Sequence, residues 1–207
     1  MSSLDDLIER AKMLHSEGRS QSQIADEMSL SVETITWLLT QQKGEKAAPK
    51  DILIDWSAIS CYADMLEDIS VMMLKRFYYA QEELLESDEK EICEPDVIIG
   101  IAHSGIPLAT MIAGEEDCQF TMYHPKKHAQ GENPAGSLNS SFANVTGKKC
   151  LIVDDVITSG NTVSEAVDYI RSHGGCPVGI VVIFDKRGIK EINDVPLYSL
   201  VKAERID

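Results

Sequence analysis

The chain of 207 residues lacks a long apolar run, and none of its runs approaches the roughly 18 to 20 residues of a membrane-spanning helix. Its first ten residues, MSSLDDLIER, have neither the basic start nor the apolar centre of a secretory signal. We therefore expect a cytoplasmic protein with no membrane partner.

Cysteine is sparse, odd in number and scattered, and no two cysteines form a CxxC pair. A disulfide framework or a zinc site would need paired spacing. The pattern predicts reduced and mostly buried thiols. The five residues are Cys61, Cys93, Cys118, Cys150 and Cys176.

Basic residues are outnumbered, with 19 Lys and Arg against 34 Asp and Glu, and the net charge is −15. Such a charge argues against non-specific binding of nucleic acid by the chain as a whole. Residues 1–50 hold six basic and eight acidic residues, however, so most of the excess lies beyond residue 50. Only this first segment could bind a polyanionic partner.

A polar, charged stretch that contains Pro49 divides the chain. It predicts a small all-α domain over 1–43, a linker over 44–51 and a larger domain over 52–207. In the first domain, apolar residues recur at helical spacing in three short segments. Gly18 is expected to end the first helix, and Ser20 or Ser22 to cap the second. Ser31 is expected to cap the third, in which Val32, Ile35, Leu38 and Leu39 recur at helical spacing.

The larger domain alternates apolar runs with helical patterns, which predicts an α/β fold built on a parallel sheet. A helical region of one or two helices covers 56–87. Buried strands are expected over 96–102, 150–155 and 177–184, with a candidate fourth over 119–123 and helices over 106–113 and 162–173. Residues 124–149 are rich in Gly, Asn and Ser, and we interpret them as a long functional loop.

The stretch LIVDDVITSGNT, residues 151–162, is typical of a strand that opens into a helix. Thr162 and Glu165 have the spacing of a capping box, so the backbone N–H groups of 158–162 should converge at a helix N-terminus. That geometry favours an anion. An ordinary strand-to-helix turn with a solvated acid pair is the alternative.

Asp154 and Asp155 stand beside this predicted anion site. A carboxylate about 6 Å from a phosphate charge is repelled by roughly 3 kcal/mol at an effective dielectric constant near 20. Carboxylates only accept hydrogen bonds, so they suit a ligand that has hydroxyl groups beside its phosphate, or a cation. A ribose 5-phosphate has both groups, and a charged hydrogen bond of about 1.5–3 kcal/mol offsets the repulsion.

The same stretch resembles the phosphoribosyl-pyrophosphate (PRPP) motif of type I phosphoribosyltransferases. The resemblance implies that Asp154 and Asp155 hold the ribose hydroxyls, and that PRPP binds with Mg²⁺. It also implies that the 5-phosphate is held by Thr158, Ser159, Gly160, Asn161 and Thr162.

GIAHSGIPLA, residues 100–109, resembles the pyrophosphate loop of that family. Its backbone N–H groups would come from Ala102, His103, Ser104 and Gly105. A plain strand-to-helix turn is the alternative here.

HPKKHAQGE, residues 124–132, resembles the catalytic loop of orotate phosphoribosyltransferases, although the order inside it departs from theirs. In an enzyme, Lys126, Lys127 and His128 would neutralise a leaving pyrophosphate; otherwise this is a solvated basic loop. After the 177–184 strand, Lys186 replaces the arginine that orotate enzymes use to hold the base. Lysine does not match arginine in planar recognition, so orotate does not carry over as the substrate.

Residues 17–41 have the spacing of a helix-turn-helix, with residues 31–41 as the recognition helix. We expect Arg19 and Lys43 to reach DNA phosphates. The outward side of the recognition helix would present Ser31, Glu33, Thr34, Thr36, Trp37, Thr40 and Gln41. A homodimer would combine two weak half-sites. A helical packing module that binds no DNA is the alternative.

This order of domains resembles an archaeal group of transcriptional regulators of central sugar catabolism. The resemblance implies a regulator that binds double-stranded DNA through 1–43 and senses PRPP or a related ribose phosphate. The competing interpretation is an enzyme that transfers phosphoribose from PRPP to orotate or another base.

Overall fold

The computed structural model describes residues 4–40, 49–85, 92–129 and 134–203. The chain forms two compact units, Met1–Asp55 and Trp56–Asp207. The division falls four residues beyond the predicted linker, of which 44–48 lies outside the described residues.

The first unit contains three helices, α1 (Leu4–Ser16), α2 (Gln21–Glu27) and α3 (Val32–Thr40). Gly18 follows α1 with φ of 86°, a conformation that favours glycine. Ser20, rather than Ser22, caps α2 and forms a reciprocal capping box with Gln23.

The three helices close over one small apolar core, which consists of Ala11, Leu14, Ile24, Ala25, Met28, Leu30, Ile35 and Leu38. The turn between α2 and α3 includes Ser29, whose φ is 51°. Of the apolar residues at helical spacing in α3, Ile35 and Leu38 are buried, whereas Val32 is 46% exposed. Val32 is the first residue of α3, where only part of a helical turn faces the core.

The second unit begins with two helices, α4 (Ser57–Ser60) and α5 (Ala63–Leu85). The sequence predicted either one or two helices in this region. The later helices are α6 (Gly105–Glu115) and α7 (Asn161–Ser172). The strands are β1 (Val97–Ile101), β2 (Gln119–His124), β3 (Ser137–Leu138), β4 (Lys149–Ile157), β5 (Cys176–Asp185), β6 (Glu191–Ile192) and β7 (Val195–Lys202).

One sheet contains all seven strands in the order β3-β2-β1-β4-β5-β7-β6. The five inner strands are parallel, and the two-residue strands at the edges are antiparallel to their neighbours. This confirms the predicted α/β class with a parallel sheet. The carboxyl ends of β1, β4 and β5 therefore meet at one edge of the sheet.

Apolar side chains cover both faces of the sheet, as expected of buried parallel strands. On one face Ile99, Ile152 and Val182 pack against α7. On the other, Ile98 and Leu151 pack against α5 and α6. Alternate residues of a strand thus serve opposite layers.

The predicted loop over 124–149 contains more structure than expected. Lys126–His128 form a 3₁₀ turn, and β3 pairs with the end of β2. The strands β6 and β7 at the C-terminus were not predicted.

All five cysteines are free, and only Cys150 is buried, so the expectation of mostly buried thiols is wrong. Within the described residues, no helix is both long and apolar enough to cross a membrane.

Candidate functional site

The two adjacent acids lie inside β4, because the strand continues to Ile157, two residues beyond its predicted end. Their side chains are largely buried, with Asp154 9% exposed and Asp155 8% exposed. Asp154 Oδ1 accepts a hydrogen bond of 3.0 Å from the Asp155 backbone N–H. Asp155 Oδ1 accepts one of 2.8 Å from the Val156 N–H. The strand and these bonds fix both carboxylates at the carboxyl edge of the sheet.

A short loop joins β4 to α7, and Gly160 is the residue before the helix. Gly160 has φ of 81°, and a Cβ at this position would lie 3.3 Å from Ile192 Cδ1. Ser159 Oγ accepts a hydrogen bond of 3.3 Å from the Asn161 N–H. Glycine at this position thus permits both the left-handed turn and the close approach of Ile192, in the hairpin of β6 and β7. The loop opens at the positive end of the α7 dipole.

The predicted capping box between Thr162 and Glu165 is absent, since α7 has no side-chain cap. Glu165 Oε1 instead accepts a hydrogen bond of 2.8 Å from the Tyr123 hydroxyl and another of 2.8 Å from the Lys126 N–H. Burial, followed by the bond to Glu165, raises the pKa of Tyr123 above its ordinary value. Glu165 thus anchors the segment after β2 onto α7, which local spacing could not reveal.

The predicted pyrophosphate loop lies directly beside the acids. Register places Gly100 of β1 opposite Val153 of β4. A Cβ on Gly105 would lie 2.3 Å from the Val153 carbonyl oxygen, so only glycine fits. The Ser104 hydroxyl donates a hydrogen bond of 2.7 Å to Asp155 Oδ1. The predicted pyrophosphate loop is therefore in direct contact with the acid pair of β4.

One backbone donor of that loop is used within the sheet. The Ala102 N–H donates to the Tyr123 carbonyl oxygen at 2.9 Å, so this group is satisfied without a ligand. The peptide bond between Ala102 and His103 is cis. Any anion would thus rely on N–H groups after Ala102.

The basic segment lies against both loops. Lys127 Nζ donates a hydrogen bond of 2.9 Å to Thr162 Oγ1, at the start of α7. The rings of His103 and His128 are in edge-to-face contact, with centroids 4.7 Å apart. Lys126 Nζ lies 4.0 Å from Glu165 Oε2. Residues 131 and 132, also part of the predicted catalytic loop, lie outside the described residues.

Lys186 lies at the same edge of the sheet. Its backbone N–H donates to the Ile157 carbonyl oxygen at 3.1 Å, which holds the turn after β5 beside the end of β4. Asp185 is fully buried, and its Oδ1 accepts bonds from the N–H groups of Arg187 at 2.9 Å and Gly188 at 3.0 Å. The turn that presents Lys186 is thus fixed from inside.

Together these residues line one edge of the sheet, which offers both anion-binding groups and carboxylate acceptors. The loop before α7 and Lys127 favour an anion, and the carboxylates of Asp154 and Asp155 accept hydrogen bonds from hydroxyl groups or ligate a cation. No sequence pattern indicated the roles of Tyr123 and Ile192, and the spacing assigned Glu165 to a cap, although all three position this edge. Within the described part of the chain, no group of three or more His, Cys, Asp or Glu side chains is arranged to hold a metal ion.

In the first unit, the N-terminus of α3 contacts a residue that the sequence assigned to the linker. Asp51 Oδ2 accepts hydrogen bonds from the Ser31 N–H at 2.7 Å and from Thr34 Oγ1 at 2.8 Å. The Ser31 hydroxyl lies 2.8 Å from Thr34 Oγ1. Thr34 is only 9% exposed, so the expectation that it lies on the outward side of α3 is wrong.

The other predicted DNA-contacting residues have varied surroundings. Glu33 and Thr40 are exposed, and Trp37 is partly buried against the helical core. Thr36 Oγ1 lies 2.8 Å from the Val32 carbonyl oxygen and 3.0 Å from Gln21 Oε1. Arg19 forms ion pairs with two acids, Glu17 and Glu27. Gln41 and Lys43 lie outside the described residues.

Comparison with known proteins gives a family for the second unit and relatives for the whole chain. Residues 78–204 match the model of the Phosphoribosyl transferase domain. The Transcriptional regulator GfcR of Methanosphaerula palustris is 52% identical over 209 residues. The Transcriptional regulator GfcR of Methanocorpusculum labreanum is 54% identical over 207 residues. Both alignments cover 100% of this chain and 100% of the relative.

A solved structure also shares the fold of the second unit. It is an orotate phosphoribosyltransferase from Mycobacterium tuberculosis in complex with 5-phospho-alpha-D-ribosyl 1-diphosphate (PRPP). The TM-score is 0.50 at 18% identity, and the match covers 72% of this chain and 80% of that chain. The similarity confirms the predicted type I phosphoribosyltransferase fold.

Proposed function

Since this chain belongs to the phosphoribosyl transferase domain family and to the transcriptional regulators named GfcR, we propose that it is a DNA-binding regulator whose second unit senses PRPP or a related ribose phosphate. Its first unit binds double-stranded DNA, the working form is a homodimer, and the regulated genes serve central sugar metabolism. The observation that carries the proposal is the meeting of three ligand-type segments at one sheet edge.

The ligand is inferred from the chemistry of that edge. The loop before α7, with Lys127 donating to Thr162, suits a phosphate. Asp154 and Asp155 suit the hydroxyls of a ribose. The loop of His103 and Ser104, which contacts Asp155 through Ser104, suits a second phosphate group at the other end of the ligand. PRPP carries all three groups, and a sugar monophosphate carries the first two.

Magnesium fits this edge as an ion that arrives with the ligand. Mg²⁺ prefers octahedral oxygen ligands and commonly keeps waters while it binds one or two carboxylates and substrate phosphates. Asp154 and Asp155 offer such carboxylates, although they do not form a complete site of their own. When bound, the ion neutralises part of the negative charge of the pyrophosphate.

The DNA-binding half of the proposal is supported by α2, α3 and the tight turn between them. The N-terminal part of a recognition helix contacts base edges in the major groove. Glu33 and Thr40 are exposed on α3, and Trp37 is partly accessible. The helix has no Lys or Arg between Val32 and Thr40, so one unit would bind weakly, which favours a dimer on a two-fold symmetric site.

Binding of ligand would change the affinity for DNA through the dimer geometry. A useful switch requires about 1–3 kcal/mol of coupling between the two sites, which is roughly 5- to 150-fold in affinity. In this mechanism Lys126, Lys127 and His128 hold the ligand and need not catalyse a reaction.

The first experiment selects fragments of the source genome that bind the protein at near-physiological salt, and then measures affinity for the enriched site with and without PRPP and Mg²⁺. We expect PRPP to change the affinity of the wild type. The double change Asp154→Asn and Asp155→Asn should abolish this response and leave DNA binding intact. Asp117→Asn is the matched control, because Asp117 is exposed and its φ of 49° also suits asparagine.

A response that survives in the double variant would overturn the ligand assignment, and the absence of any enriched site would overturn the DNA-binding assignment. Release of pyrophosphate from PRPP with orotate and other bases tests the enzyme alternative on the same protein. Rapid release that depends on Lys127 would favour that alternative.

A further inference from the structure

The long helix α5 carries a row of large exposed apolar side chains. Met65, Met72 and Tyr79 are 44%, 56% and 56% exposed. They are spaced seven residues apart, so they deviate by only about 20° around the helix from one to the next. We name these three residues the Met72 stripe. It extends over about 21 Å of the helix surface.

The Met72 stripe is distinct from the face of α5 that builds the core. Ile69, Met73 and Phe77 are buried in the layer that covers the sheet. Tyr62, just before α5, is 58% exposed and adds a further apolar group near one end of the stripe. Three large exposed apolar side chains aligned along one side of a helix indicate an interaction surface rather than scattered surface residues.

Two exposed charges flank the centre of the stripe. Asp68 precedes Met72 by four residues, and Lys75 follows it by three. The neighbouring Arg76 is partly buried, with its guanidinium 5.8 Å from the centre of the Tyr198 ring. Lys75 is therefore the basic group that is best placed to face a partner across the stripe.

We propose that the Met72 stripe is the contact between two copies of this chain, which pack their α5 helices antiparallel about a two-fold axis at Met72. In that arrangement Met72 meets its own copy, and Met65 meets Tyr79. Asp68 of each copy then faces Lys75 of the other. A parallel arrangement would set Asp68 against Asp68 and Lys75 against Lys75, which is repulsive.

In this arrangement the charges beside the stripe are complementary to those of its copy, as an isologous dimer interface requires. Acids near both ends of the stripe, including Asp64 and Glu82, disfavour contact beyond Tyr79 and limit its length. This inference rests on the homodimer of the proposed function and assigns that dimer a surface. It does not depend on the identity of the ligand or of the DNA site.

The first test measures the mass of the full chain in solution by sedimentation velocity over a range of concentrations. We expect the wild type to be a dimer and Met72→Glu to shift it towards monomer, with at least about a tenfold rise in the dissociation constant. Met13→Glu is the control, because Met13 is equally exposed, at 54%, but lies on α1. It should remain dimeric, and far-UV circular dichroism should show that both variants fold.

The second test exchanges the charges. Asp68→Lys alone and Lys75→Asp alone should each weaken the dimer by about tenfold, since each places like charges opposite one another twice per dimer. The double variant should restore the dimer to within about threefold of the wild type. Glu67→Lys, an exposed acid about 100° away around the helix, should have little effect.

The outcomes distinguish a failure of the proposed surface from a failure of the homodimer. A wild type that stays monomeric at all concentrations overturns both this inference and the homodimer. A wild-type dimer that Met72→Glu leaves unchanged, or single charge variants that the double variant does not rescue, overturns the Met72 stripe and leaves the homodimer intact on another surface.

Discussion

Gly105 has no space for a side chain, and this one position sets how closely the start of α6 approaches β4. A methyl group there would overlap the Val153 carbonyl oxygen at 2.3 Å and lie 3.1 Å from Asp154 Cα. We therefore expect Gly105→Ala to lower the free energy of unfolding by about 1–3 kcal/mol, the usual cost of overpacking a core. It should also weaken the binding of PRPP, because it displaces the backbone beside Asp154.

Gly114→Ala is the matched control, since Gly114 lies in the same helix and its Cβ would meet nothing within 4 Å. That variant should be about 1 kcal/mol more stable than the wild type, because alanine favours a helix over glycine. Urea denaturation of both variants and titration with PRPP provide the comparison. Equal stability of the two variants would show that the backbone of β4 yields to the new methyl group.

The position of a single residue was predictable where the neighbouring sequence alone determines it. Asp154, Asp155 and Gly160 were found from their order after an apolar strand. Glu165 and Thr34 were misassigned, because spacing along a helix predicts a cap or an outward side but cannot see partners from elsewhere. Glu165 bonds to Tyr123 in β2, and Thr34 bonds to Asp51, which is 17 residues away.

At the scale of elements, Asp51 stabilises the start of α3. Its carboxylate accepts the Ser31 N–H and the Thr34 hydroxyl and lies at the positive end of the helix dipole. We expect Asp51→Ala to lower the stability of the first turn of α3 by about 1 kcal/mol, as the loss of a cap does. Hydrogen exchange of the Ser31 amide should become roughly fivefold faster.

Asp51→Asn keeps an acceptor oxygen and should show a smaller increase. Glu9→Ala removes one exposed acid from α1 and serves as the control for charge alone. If Ser31 exchanges at the wild-type rate in Asp51→Ala, the capping role of Asp51 is wrong.

The strength of the apolar signal decides which elements the sequence predicts. β1, β4 and β5 are continuous apolar runs whose burial on both faces leaves little choice of structure. β3 and β6 have two residues each and exist only because a neighbouring strand is present, so no local pattern indicates them. The end of β4 was placed two residues too early, at 155 instead of Ile157, because the sequence after the acid pair resembles a loop.

For the whole molecule, the residues of the small helical core all belong to the first unit, and those of the two sheet layers all belong to the second. Thermal unfolding should therefore show two transitions. We expect Ile35→Ala to lower the midpoint of one and Ile152→Ala that of the other, since each removes a fully buried side chain at a cost of about 2–5 kcal/mol.

Differential scanning calorimetry of the full chain resolves these transitions, and limited proteolysis assigns each to its unit. A single transition that both variants shift equally would show that the units unfold together. The fold class of the whole molecule was predictable from alternating patterns and motif resemblance. The order of the strands was not, because it depends on contacts between segments far apart in the chain.

The pairing of Gly100 with Val153 has a consequence for the size of the ligand. The loops that follow β1 and β4 grow from adjacent strands, whose backbones lie about 4.8 Å apart. The bases of these loops cannot separate without breaking the sheet. The pairing of the strands therefore fixes the distance between the two loops. A molecule whose two charged ends are spaced to match is accepted whole, and one with a shorter or longer span can satisfy only one end.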